Sequence, residues 1–134
     1  MRSDYLQWIE KAEHDWEAVS VLKRSKKSLK DITLFHCHQV AEKYLKAFLV
    51  YHGVTFKKSH DLLYLHHLVM QVIPAAGVFK EDLNFLNDFA VEPRYPGDLI
   101  QYTSDMVAEA SESCRRIRHD FRKLLLKHSG KKGR

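Results

Sequence analysis

The sequence predicts an all-α fold, an antiparallel bundle of about five helices in which long first, second and last helices flank two shorter ones. Three observations predict it. Apolar residues recur at the helical period through most of the chain, as they do on helices with one buried face. No stretch alternates apolar and polar residues as a half-buried strand would. Five glycines and three prolines in 134 residues leave little material for the turns of an all-β fold. A chain of this length makes one domain with a real core. The pattern assigns residues 1–128 to that domain and 129–134 to a flexible basic tail.

The first helix is expected from about Ser3 to Leu22, with Tyr5, Trp8, Ala12, Trp16, Val19 and Leu22 on its apolar stripe and Ser3 or Asp4 as cap. The basic run "KRSKKSLK" (Lys23–Lys30) ends it as a solvated turn. A second helix runs from about Asp31 to His52 and stops at Gly53, a residue suited to the position just past a helix. Leu34, Cys37, Val40, Ala41, Tyr44, Leu45, Phe48 and Leu49 make it apolar around most of its girth, which places it at the bundle centre. The third is expected from about Ser59 to Ile73, closed by Pro74, with Leu62, Leu65, Val69 and Val72 inward. A short fourth covers about Lys80 to Ala90 and buries Leu83, Leu86 and Phe89. The segment "EPRYPGDL" (Glu92–Leu99) interrupts the helices, because Pro93 and Pro96 bias the residues before them away from helix. The last helix, about Thr103 to Lys127, buries Met106, Val107, Ala110, Cys114, Ile117, Phe121, Leu124 and Leu125, with Thr103 or Ser104 as its cap.

Composition narrows the classes further. Hydrophobic content of 45% with 29% charged residues is ordinary for a soluble globular chain. The longest apolar runs, "AFLV" and "LLL", fall far short of the roughly 18 residues a membrane span needs. The charged N-terminus has no apolar signal core, and Cys37 and Cys114 read as buried free thiols. A cytoplasmic address is the expectation. Much of the net charge of +5 sits in Lys23–Lys30 and from Arg115 to Arg134. Most of it reads as solvated surface, although a basic tail can also touch phosphate.

Nine histidines invite a metal hypothesis, which the spacing opposes. His36 and His38, or His66 and His67, point in different directions on a helix, and no H-x-x-x-H or paired C-x-x-C occurs, so no metal or cofactor is expected. The string Ser59-His60-Asp61 looks like a catalytic triad only on paper. It reads instead as a helix N-terminus, with Ser59 as cap and Asp61 in the first turn. The one polar arc of the second helix contains His36, Gln39, Glu42, Lys43 and Lys46, and the last four, at i, i+3, i+4 and i+7, form one line. That line is either a solvent stripe with a Glu42–Lys46 ion pair or a surface facing a groove or partner. Asp15 lies near the apolar stripe of the first helix, and a carboxylate there needs a partner such as Arg94, Lys43 or a helix N-terminus.

Taken in order, "WIEKAEHDWEAV" (Trp8–Val19), "HCHQVAEKYLKAFLVYHG" (His36–Gly53), "KSHDLLYL" (Lys58–Leu65) and "RYP" (Arg94–Pro96) resemble the HEPN family, over nearly the whole chain. The resemblance implies a bundle of roughly five helices, often a homodimer, associated with nucleotide binding and often encoded beside or fused to a nucleotidyltransferase domain. Some members are metal-independent ribonuclease toxins of toxin-antitoxin pairs. Those carry an arginine and a histidine with four to six residues between them near the start of a late helix, and two such motifs meet at a dimer cleft. Here Arg122 and His128 have that spacing but stand at the end of the last helix, while the better-placed "RRIRH" (Arg115–His119) is too closely spaced.

Three readings follow. The first is a helical module that binds a nucleotide or other phosphate-bearing ligand and acts with a nucleotidyltransferase partner, plausibly in a toxin-antitoxin-like pair. Arg94 and Lys43, with Lys46, would contact phosphate, Tyr95 would form a stacking or hydrogen-bonding wall, Gln39 and Glu42 would orient the ligand or partner, and Asp15 would belong to the same site. The second is a ribonuclease using Arg118 or Arg122 with His119 or His128. The third is a dimeric interaction protein without a ligand.

Overall fold

The computed structural model describes the backbone of residues 2–27, 29–90 and 101–132, and the side chains of 4–27, 29–90 and 101–126. The corner Glu92–Leu99, with Arg94 and Tyr95, lies outside the described residues. Among the described residues there are five α-helices: α1 (Arg2–Arg24), α2 (Lys30–Tyr51), α3 (Leu62–Val72), α4 (Lys80–Leu86) and α5 (Ser104–Lys132). Short 3-10 turns, Pro74–Phe79 and Asn87–Phe89, bracket α4. No strand occurs among the described residues, and the fold is the expected all-α bundle.

Helix α2 is the centre. Leu34, Cys37, Val40, Ala41, Tyr44, Leu45 and Leu49 have no exposed surface, and Phe48 almost none. Each large apolar side chain buried there contributes about 1.5–3 kcal/mol before conformational entropy is subtracted. The helix ends at Gly53, whose φ of +69° is the left-handed value glycine adopts without strain. The Gly53 N–H donates to Val50 O and the Val54 N–H to Leu49 O, the paired closure of a Schellman motif.

Helix α1 packs antiparallel on α2: Tyr5 meets Tyr51 edge-on, and Asp15 meets His36. Its buried residues are Tyr5, Ile9, Ala12, Asp15 and Val19, whereas the two tryptophans lie half-buried at its edges. Helix α5 runs alongside α2 in the same sense, with Cys114 beside Cys37 and Phe121 against Phe48. Both thiols are free and buried, and burial first, then the neighbouring thiol, pushes Cys114 well above an ordinary cysteine.

Several boundaries differ from expectation for local reasons. Helix α3 starts at Leu62, because Asp61, not Ser59, caps it by accepting the Leu63 N–H at 2.9 Å. Asn87 supports that end by accepting the Leu62 N–H at 2.9 Å. The expected fourth helix ends at Leu86 and gives way to a 3-10 turn. Thr103 accepts the Met106 N–H at 3.1 Å, as a cap does, and the α5 backbone stays helical to Lys132, through the first four residues of the expected tail. Val72 and Leu124, expected inside, are 39% and 40% exposed. His66, assigned no role, is buried against the Ala76 carbonyl at 2.7 Å.

Candidate functional site

The polar line of α2 meets α1 along one seam. Asp15 is 7% exposed, so its charge needs company. His36 and Lys43 supply it from two successive positions on one face of α2, seven residues apart. His36 Nδ1 lies 2.7 Å from Oδ1 and Lys43 Nζ donates to Oδ2 at 2.5 Å. An ionised carboxylate only accepts, so Nδ1 carries the proton and a neutral His36 presents a lone pair at Nε2. The side chains of His36 and Lys43 remain 27% and 21% exposed. One buried anion thus holds an imidazole and an ammonium side by side at the surface.

Gln39, Glu42 and Lys46 form an adjoining network. Glu42 is buried, and its carboxylate accepts from Lys46 Nζ at 2.8 Å and faces His60 Nδ1 at 3.0 Å. Gln39 Nε2 reaches both Glu42 and His38 Nδ1 at 3.3 Å. His38, without exposed surface, donates from Nε2 to the His60 carbonyl at 3.0 Å. Burial, which outweighs the nearby Glu42 charge, pushes its pKa down to about 4, so it stays neutral. Burial alone would raise the Glu42 carboxyl, but hydrogen bonds from Lys46 and His60 and the Lys46 charge hold it below the usual range. Lys46 also lies over the Trp8 ring, 5.3 Å from its centre. The solvent stripe considered from sequence is therefore half interior: Glu42 and Lys46 face the core's edge, and only Lys43 and Gln39 reach the surface in part.

A third cluster joins α1, α2 and α5. Arg118 grips Glu13 with two hydrogen bonds, at 2.8 and 2.6 Å, and stacks over Trp16 at 5.0 Å. The Tyr44 hydroxyl donates to Glu13 and accepts from Arg122 at 3.3 Å. Burial raises the Glu13 carboxyl, but bonds from Arg118 and Tyr44 bring it below the usual range. Burial, then Glu13, raises the Tyr44 phenol. Arg122 is the loosest member, with its second contact, to Glu13, at 3.6 Å. A largely apolar groove of about 870 Å³ lies here, lined by Arg118, His119, Arg122 and Lys123 together with Val78 and Leu126. His119 is exposed beside Asp120.

Of the residues singled out in the sequence, the structure brings Asp15 to Lys43 and gathers Gln39, Glu42 and Lys46. Arg118, His119 and Arg122 line one groove. Arg94 and Tyr95, and the side chain of His128, lie outside the described residues. His36 was legible on the polar arc of α2 but without a role, His38 and His60 had none either, and all three prove to be connecting members. For His36 the signal was its place on that arc, and for all three it was that the carboxylates Asp15 and Glu42 sit where an unpaired charge would be costly. Among the described residues, no group of three or more histidines, cysteines or acids is placed to hold a metal ion. No helix among them is long and apolar enough to cross a membrane.

No curated protein and no solved structure matches the chain. The family model described as HEPN domain matches residues 5–124, which takes in every cluster above. With a five-helix fold and a match over most of its length, the chain belongs to the HEPN domain family.

Proposed function

We propose that this HEPN protein is a helical module that binds a nucleotide or another phosphate-bearing ligand and acts with a nucleotidyltransferase partner, in a pair of toxin-antitoxin type. The observation that carries the ligand is the Asp15 seam: His36 and Lys43, each partly exposed, are fixed beside one another by a single buried carboxylate. Groups already held in place lose little side-chain entropy when an anion arrives. Lys46 is committed to Glu42 and shielded by Trp8, so Lys43 is the better phosphate contact of the two. Arg94 and Tyr95, outside the described residues, are the further ligand contacts of this reading.

Melting temperature tests the reading, because a ligand at one hundred times its Kd stabilises the native state by about 2.7 kcal/mol. Millimolar nucleotides should raise it, and Lys43→Ala should weaken the rise at least several-fold. No shift with any nucleotide, alone or with the partner added, would sink the proposal.

One observation favours a second reading, metal-independent cleavage of RNA. Arg118, His119 and Arg122 line the same groove, where histidine could transfer a proton and arginine could steady phosphate charge. RNA incubated with EDTA should then be cut by the native protein and spared by His119→Ala or His128→Ala.

A further inference from the structure

We propose that Asp15, His36 and Lys43 form an anion site that binds the phosphate of its ligand with His36 in the imidazolium form, so that binding takes up one proton. The inference rests on the reading that the protein binds a phosphate-bearing ligand, and it names the regulation of that site.

Lys43 and Asp15 neutralise one another at 2.5 Å, so with a neutral His36 the seam has no net charge to offer a phosphate. Hydrogen bonding points the same way. Asp15 holds the proton on Nδ1, and the outward Nε2 of a neutral ring is a lone pair. A lone pair facing a phosphate oxygen repels it. Among the described residues no hydrogen-bond partner meets Nε2, so this atom is left to whatever occupies the surface there. Protonation changes both features together: Nε2 becomes a donor, and the seam gains one positive charge. The Nδ1–H bond to Asp15 is the same in both forms of the ring.

The groups facing this imidazole are few. From α1 comes Asp15, from α2 come Lys43 and the Phe35 ring, edge-on with its centre 5.4 Å away, and from α5 the neutral Cys114 thiol lies within electrostatic reach of Asp15. An arriving anion tips the balance toward the imidazolium.

Inorganic sulfate is the probe, because it remains a dianion from pH 5 to 9 and any pH dependence belongs to the protein. Sulfate binding to the native protein, followed by nitrogen-15 spectra of the histidines, should weaken by up to about tenfold per pH unit above the imidazole midpoint. The His36 Nε2 signal should move to the protonated position on saturation at a pH where the free ring is neutral. His36→Gln should remove the pH dependence while leaving weaker binding through Lys43. Asp15→Asn frees Lys43, so it should strengthen binding at pH 8 and flatten the profile. Should Asp15→Asn fail to fold, the His36 spectra of the native protein decide alone. Nucleotide or sulfate binding with His36 still neutral overturns this inference and leaves the phosphate-ligand reading standing. Failure of sulfate and every nucleotide to bind overturns both.

Discussion

At the scale of single residues, the molecule is governed by how it houses charge along α2. Glu42 and Lys46 are both buried and pair at 2.8 Å, a geometry whose Coulombic gain roughly offsets its desolvation cost. Such a pair fixes position more than it adds stability. His38 is different, because it is kept uncharged. Its folded pKa of about 4 lies below the ordinary 6.5 because burial penalises the imidazolium. Between those values the unfolded chain binds the extra proton, so stability is complete above about pH 6.5 and is lost as pH falls toward 4. From pH 7 to pH 5 this amounts to about 2 kcal/mol. Glu42, held below the usual carboxylate range, adds its own loss only further down, under the ordinary carboxylate value. Urea midpoints at pH 7 and 5 separate the two. His38→Gln keeps a donor for the His60 carbonyl and should erase most of the difference between those pH values. An undiminished difference would show that the acid sensitivity arises elsewhere, for example at His52, which burial also shifts downward.

At the scale of elements, the helical period located all five helices, and the misplacements were at their ends. The start of α3 is instructive. Ser59, His60 and Asp61 offer two capping residues in three positions, and sequence alone favoured the first. The choice was made by Asn87, 25 residues along the chain from Leu62, whose carboxamide bonds both the Leu62 N–H and Asp61 Oδ1. Ser59 is left to accept the Asp61 N–H, inside the turn. A long-range polar contact therefore set a local boundary, and no window of sequence contains it. Asp61→Ala should cost about 1 kcal/mol, the usual value of a lost N-cap, and Ser59→Ala a few tenths. Denaturant unfolding of the two variants would settle the assignment, and equal losses would return the cap to Ser59. The candidate site was half legible for the same reason. The line Gln39, Glu42, Lys43 and Lys46 is a property of one helix and could be read off it. The imidazoles of His36 and His60 reach carboxylates 21 and 18 residues away, across element boundaries.

At the scale of the whole molecule, the net charge of +5 is unevenly held. Arg115 and Arg116 are occupied by Glu112 and Asp82, and Arg118 by Glu13. Beyond them, Arg122 has one bond to a phenol and a distant carboxylate, and Lys123 lines the groove beside it. The sequence continues with Lys127, Lys131 and Lys132 on the same helix. Among the described residues of α5, Arg122 and Lys123 are thus the cations least engaged by carboxylates, and both line the groove. If that surface binds RNA, the contact is electrostatic, and its affinity must fall with salt as counterions are released. For a single strand the slope of log K against log salt is about −0.7 for each phosphate neutralised. Fluorescence anisotropy of a labelled single strand between 50 and 300 mM salt reads that slope directly. Replacing Arg122 and Lys123 together by alanine should make it shallower by about 1, whereas Arg115→Ala, which removes a cation already paired with Glu112, should change it little. An effect of Arg115→Ala half as large as that of the double variant, one charge removed against two, would mean that RNA feels only the total charge of the protein. An effect confined to Arg122 and Lys123 would place RNA on the groove, and would separate that surface from the Asp15 seam on α1 and α2.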